Sequence, residues 1–200
     1  MAGDIDFNLD RFVEAQNGIY QQALSELKAG RKTSHWMWFI FPQISGLGTS
    51  AMAEKYAIRS AEEAAAYLAH PILSSRLLRC VEAILSVDGR SAHDILGSPD
   101  DFKLRSSMTL FAAISDHGSP FHRAIERFYQ GQFDERTIEI LSAREEPLCS
   151  PGRRSRRRPR SIADADRCQC RHRPLPRRNN SAHREAPAWL RARRVWYIGA

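Results

Sequence analysis

Apolar residues recur at spacings of three and four along most of the chain up to Leu141. Phe12, Val13, Gln16, Ile19, Tyr20, Ala23, Leu24 and Leu27 fall on one stripe and predict a helix from Asn8 or Leu9 to Ala29. Asn17-Gly18 predicts a dent in it, because Gly costs about 1 kcal/mol against Ala in a helix. Gly30 follows as a stop residue. Residues 35–41 are apolar nearly throughout and precede Pro42; with no partner strand elsewhere, they predict a short buried helix. Ser45 to Ser50 reads as a loop, and Ala51 to Ile58 as a short helix.

Further starts follow from capping chemistry. Ser60-Ala61-Glu62-Glu63 has the form of a capping box, opening an Ala-rich helix that ends at His70. Pro71 opens the next, with Ile72, Leu73, Leu77, Leu78, Val81, Ile84 and Leu85 turned inward and Asp88-Gly89 at its end. Ser91 caps a short helix to Leu96. Ser98-Pro99-Asp100-Asp101 predicts a start with Ser98 as cap, of a helix that carries Phe102, Leu104, Met108, Leu110, Phe111 and Ile114. Ser119-Pro120 opens a helix closed by Gly131, and Asp134 caps a last one from Glu135 to about Leu141. Seven to nine helices with short links predict an all-α, compact, multihelical single domain over residues 1–145.

Charge separates that domain from the rest. Residues 1–146 carry fifteen Lys and Arg against twenty Asp and Glu, a net of −5. Residues 147–200 carry fifteen Arg, no Lys and three acids, a net of +12. The overall +7 therefore belongs to the C-terminal segment, and the mildly acidic body does not read as a nucleic-acid-binding domain. Low hydrophobicity with high charge predicts a disordered Arg-rich tail over residues 146–200. Such a run reads as a nucleic-acid arm. It also has the composition produced when a GC-rich gene is translated in a shifted frame. The acidic N-terminus, without an apolar run behind it, and the lack of any eighteen-residue apolar stretch predict a cytoplasmic protein without a membrane span.

Cys80 lies in an apolar helix pattern and reads as a buried, inert thiol. Cys149, Cys168, Cys170 and His172 form too sparse a set for a metal site, so no metal is expected and no cofactor is identified.

Two segments concentrate unusual chemistry. Gly30 to Gln43 holds Arg31, Lys32, His35, Trp36, Trp38 and Gln43. Rings with polar ends suit a planar or phosphorylated ligand, with Arg31 and Lys32 on charge and Trp36 or Trp38 on a ring. In the plainer reading, Trp38, Phe39 and Phe41 are core anchors. In the second segment, Lys103, Ser106 and Ser107 share a helical face at i, i+3 and i+4, where two hydroxyls and a cation could hold an anion. A Ser-Lys nucleophile pair would need a desolvated lysine. Among the histidines, His70-Pro71 reads as an interhelix turn, and His93 and His122 as partly exposed helix residues. Phosphate-loop, dinucleotide and zinc-protease motifs are absent.

Arg11 to Gln16, Gly30 to Gln43, Gly46-Leu47-Gly48, Tyr56-Ala57-Ile58, Tyr67 to Pro71 and Lys103 to Phe111 together resemble the family catalogued as domain of unknown function 1810, over about residues 7–141. The resemblance implies a multihelical domain, mostly bacterial, with no established activity. The family ends soon after the last helix, so residues from about 142 depart from it. Some members carry the label calpastatin. A calpain inhibitor of that kind is long, repetitive and rich in Pro and Lys, and this aromatic chain gives the label no physical support. The leading expectation is a helical domain that binds, or acts on, a small anionic or nucleotide-like ligand at Arg31, Lys32, His35, Trp36, Trp38, Gln43, Lys103, Ser106 and Ser107. The alternatives are a helical protein-interaction module and nucleic-acid binding by the tail.

Overall fold

In the computed structural model, which describes residues 7–145, two helices carry the first apolar stripe where one was expected: α1 Asp10–Gln16 and α2 Tyr20–Lys28. Asn17 turns extended (ψ 125°) and Gly18 takes φ 79°, a left-handed conformation that is cheap only for glycine, so the chain breaks there and does not merely dent. The helices that follow are α3 Met37–Ile40, α4 Ala51–Lys55, α5 Ala61–Ala69, α6 Pro71–Leu85, α7 Ala92–Leu96, α8 Asp100–Ala113, α9 Pro120–Tyr129 and α10 Glu135–Glu145. The described residues are thus all-helical, with ten helices and one isolated parallel bridge, Ile44 to Ile58. All ten belong to the first of the two units into which the chain divides, Met1–Pro147. The expectations for the Arg-rich tail, for Cys149, Cys168, Cys170 and His172, and for a nucleic-acid arm lie outside the described residues. No helix among the described residues is long and apolar enough to cross a membrane.

Side-chain caps account for half of the ten starts among the described residues, those of α4, α5, α6, α7 and α10. Ser91 and Asp94 form a reciprocal capping box on α7. His70 caps α6 through Nδ1, at 3.4 Å from the Leu73 amide, ahead of Pro71 in the first turn. Asp134 caps α10, its Oδ2 accepting from Thr137 N at 3.0 Å. Two expected caps take another form. Ser60 Oγ accepts from the Glu63 amide, but the Glu63 carboxylate reaches past the cap to Arg59 N (2.7 Å) and to Arg11 (2.5 Å), because a buried cation is the stronger partner. Helix α8 begins at Asp100, with Pro99 in the cap position and no side-chain cap.

The core is organised around α6 and α8. Helix α6 packs against α2, α5 and α9, and α8 against α7, α9 and α10. An aromatic chain crosses it: Phe12 meets Tyr67 edge-on at 5.1 Å, Tyr67 meets Phe111 at 5.5 Å, and Phe111 meets Phe121 at 5.4 Å. Each such pair adds roughly 0.5–1.5 kcal/mol beyond its area burial. Gln16, 1 % exposed, ties this cluster to α3 by donating to Phe39 O at 2.8 Å. From Ser106 to Ala113 every residue of α8 is buried, so this stretch is covered on all its faces, with the small Ser107 serving close packing at 0 % exposure. Its first turn and Arg105 reach the surface. In that first turn Phe102 is 63 % exposed. Ile72, expected inward on α6, is 43 % exposed, because it lies in the first turn of its helix, ahead of the buried face that begins at Leu73. Cys80 is buried as expected, and burial pushes its thiol up to about 12.

Candidate functional site

Glu26 builds the aromatic segment. Gly30 ends α2 with φ 67°, and a Cβ there would stand 2.9 Å from Val87 Cγ1, so only glycine fits. The chain then folds back over α2, with Arg31 N bonded to Glu26 O and Lys32 N to Ile95 O. The Glu26 carboxylate accepts from Thr33 N (2.8 Å), Ser34 N (3.1 Å), Ser34 Oγ (2.6 Å), Trp36 Nε1 (2.8 Å) and Gln22 Nε2 (3.2 Å). Burial alone would raise its pKa, but the hydrogen bonds outweigh burial and hold it at about 2. Trp36 is thereby fixed with 0 % exposure and its one donor spent.

A line of charges joins this segment to α8. Asp100 receives Lys32 Nζ at 2.7 Å on Oδ2 and Lys103 Nζ at 2.7 Å on Oδ1. Lys32 lies over the Trp36 ring at 5.3 Å and Lys103 over the Trp38 ring at 4.9 Å. Burial opposes ionisation of Asp100, yet the hydrogen bonds and charges of the two lysines lower its pKa.

A third wall comes from the loop around α4. Ile58 N donates to Gln43 O and Ser45 N to Ile58 O, both at 2.8 Å, which closes residues 43–58 on themselves. Inside the closure Gly48 approaches α4 so closely that an added Cβ would stand 2.7 Å from that of Ala53. Arg144 of α10 bonds the carbonyls of Ser45 and Arg59, fastening the loop to the helix that Asp134 begins.

These walls border an open cleft of about 440 Å³, within the roughly 300–1,000 Å³ of small-molecule sites. Trp38 and Gln43 line it from the aromatic segment, Phe102, Lys103 and Ser106 from α8, and Asp134 and Arg136 from α10. Gly48, Thr49 and Ser50 form the loop side. A smaller cavity of about 110 Å³ behind the loop shares Gln43, Gly48 and Ala53. Ser106 Oγ is 3.2 Å from Asp134 Oδ2 and from Phe102 O. The Trp38 indole nitrogen, the Gln43 side-chain amide and the Arg136 guanidinium have no hydrogen-bond partner among the described residues.

Four of the residues singled out from sequence, Trp38, Gln43, Lys103 and Ser106, therefore line one cleft. The other five do not. Trp36 and Ser107 are 0 % exposed inside the fold. Lys32 sits behind Asp100, and Arg31 and His35 are exposed away from the cleft lining. Phe102, Asp134 and Arg136 were not anticipated as site residues. Asp134 was legible only as a helix cap, and Arg136 follows it by two positions on the same first turn.

The Ser-Lys pair does not form. The Lys103 ammonium is held by a carboxylate that stays ionised, and Ser106 bonds to Asp134 and a carbonyl. Elsewhere, His122 is 5 % exposed, which corrects its reading as a partly exposed residue. Its Nδ1 is 2.9 Å from Ser119 Oγ, and Nε2 is buried without a partner. His93 is exposed and pairs with Asp101 at 3.0 Å.

A helical domain with a polar-aromatic cleft, walled by a closed loop and by the starts of two helices, is the class of protein these residues define. The family described as "Protein of unknown function (DUF1810)" matches residues 6–141, and the chain belongs to it. The chain is similar to the crystal structure of the conserved hypothetical protein Rv1873 from Mycobacterium tuberculosis, at 49 % sequence identity and a TM-score of 0.67, covering 68 % of this chain and 97 % of that one. No curated relative matches it.

Proposed function

We propose that the cleft between Trp38, the start of α8 and the start of α10 binds a small anionic ligand with a planar part, of nucleotide-like character. The observation that carries this reading is the convergence of Lys103 over Trp38 with the unpaired Arg136 and the free Gln43 amide in a single volume of about 440 Å³. Lys103 and Arg136 supply two cations for an anionic group. Gln43 offers both a donor and an acceptor, which suits the edge of a heterocycle. Phe102, 63 % exposed at the rim, offers a ring face. The expected partner is thus a small molecule.

A thermal-shift screen of the protein against nucleotides, sugar phosphates and inorganic phosphate tests the reading. A ligand at a hundred times its dissociation constant adds about 2.7 kcal/mol to stability. The expected result is a shift that Lys103→Met and Arg136→Ala each weaken by about tenfold in affinity. A hit that survives both substitutions would place binding elsewhere.

The same exposed Phe102 favours a second reading, a helical protein-interaction module with Phe102 as an anchor. A partner lost on Phe102→Ala, with no small-molecule shift in the screen, would replace the first reading by the second.

A further inference from the structure

Lys32 does not line the cleft, yet it is bonded to the group that holds the cleft's lysine. Its side chain is 9 % exposed, its ammonium is 2.7 Å from Asp100 Oδ2, and the opposite oxygen of that carboxylate holds Lys103 at 2.7 Å. Two cations thus share one anion. The sign of the cleft follows from this sharing. Lys103 and Arg136 are positive and Asp134 is negative among the lining residues, an excess of one positive charge. Asp100, in direct contact with Lys103, cancels that excess. Lys32 restores it from behind.

We propose that Lys32 is a positioning residue that makes the cleft anion-selective: by engaging Asp100 on its far oxygen, it leaves the charge of Lys103 available to a ligand. The proposal rests on the reading of this cleft as the ligand site. The surroundings are built for the task. Lys32 is pinned by its own amide bond to Ile95 O and lies over Trp36, which Glu26 in turn holds, so the ammonium is fixed in place by the fold. Asp100 is 15 % exposed, so water screens its effect on Lys103 only partly, and a second fixed cation is an effective counterweight.

The potential at the cleft is readable without the ligand. Trp38 lines it, and Trp36 is fully buried. In the full chain with Trp189→Phe and Trp196→Phe, the quenchable emission then comes from Trp38. Iodide, an anionic quencher, compared with neutral acrylamide at constant ionic strength, reports local positive potential separately from exposure. Lys32→Met is expected to lower the iodide-to-acrylamide quenching ratio about twofold, and Asp100→Asn to raise it about twofold. The double variant should return close to the parent value, and caesium quenching should move oppositely. A merely structural role for Lys32 would change the exposure of Trp38, which acrylamide reads as well, and would leave the iodide-to-acrylamide ratio unmoved. An unchanged ratio in folded Lys32→Met overturns the proposal. Where that variant does not fold, a ratio that stays level or falls in Asp100→Asn overturns it equally. If the quenching ratios behave as expected and no phosphate-bearing probe stabilises the protein, the ligand reading fails while the role of Lys32 stands. Ligand shifts together with unmoved quenching ratios reject the role of Lys32 alone.

Discussion

The indole nitrogen of Trp36 donates to Oε2 of Glu26 across 2.8 Å, and the same carboxylate collects the backbone amides of Thr33 and Ser34. One acidic side chain from α2 therefore shapes the turn that carries Lys32, Trp36 and Trp38. Replacing Glu26 by Ala would leave the buried Trp36 indole N–H and the part-buried Thr33 and Ser34 donors without their acceptor, at up to about 1–3 kcal/mol each. The expected loss is about 3 kcal/mol or more, measurable by urea denaturation. The pH dependence follows in sign. The folded pKa of Glu26 is about 2, below its ordinary 4.5, so in this window the unfolded chain binds more protons. The stabilisation is complete above about 4.5 and is lost as pH falls toward 2. Glu26→Gln should flatten the melting temperature over that window; an equally steep fall in the variant would contradict the clamp.

His122 supplies a second dependence at higher pH. Burial, with a smaller contribution from His117, lowers its pKa below 6.5, and Glu126 acts weakly the other way. A folded pKa below the unfolded one means that protons favour the unfolded chain. Stability is complete above 6.5 and declines as pH falls through the depressed folded value. His122→Phe should remove this decline, read as a melting temperature that no longer changes just below pH 6.5. A parent protein that gains stability on acidification there would refute the assignment.

How far the chain announced this arrangement depends on which force decided each element. Helix starts were legible where a side chain caps its own backbone, as at Ser60, Ser91 and Asp134, because that chemistry is local. The break at Gly18 was legible in place but not in extent, since a cost of about 1 kcal/mol is settled by tertiary packing. Periodicity misplaced Ile72, because an apolar stripe says which face of α6 is covered but not that its first turn lies outside the packing. Chemistry marked Trp38, Gln43, Lys103 and Ser106, which share the cleft. Spacing could not separate Trp36 from Trp38, or Ser107 from Ser106, because a boundary between core and cleft passes between the members of each pair. Asp134 and Arg136 come from an element remote in sequence, brought in by the packing of α10 on α8.

Phe102 and Phe111, on one helix, should answer substitution oppositely. Phe111 is 0 % exposed and touches Tyr67 and Phe121, so Phe111→Ala removes packing on both sides at a cost of about 3–5 kcal/mol. Phe102 is 63 % exposed, and Phe102→Ala should cost less than about 0.5 kcal/mol. Chemical denaturation of both variants checks the contrast. A large loss at Phe102 would mean that its ring is covered.

Gly48 offers the sharpest test of the cleft's loop wall. Its φ is not in the left-handed region, so alanine meets no backbone objection there. The obstacle is space: the new methyl would stand 2.7 Å from the Ala53 methyl, and neither group has a torsion by which to move aside. The backbone must give way. The closure of residues 43–58 by the two Gln43–Ile58–Ser45 hydrogen bonds resists opening at its base, and Arg144 holds Ser45 from the other side. The strain is therefore directed into Gly48 to Ala53, the stretch that lines the cleft. Gly48→Ala is expected to cost about 1–3 kcal/mol by overpacking and to weaken any ligand of the cleft along with it. Gly48→Ala combined with Ala53→Gly removes the facing methyl and should recover most of both losses. Recovery of stability without recovery of binding would mean that the loop's conformation, and not its packing alone, is what the ligand requires. A neutral Gly48→Ala would show that the loop is free to move away from α4, and the cleft wall described by Gly48, Thr49 and Ser50 would then have to be redrawn.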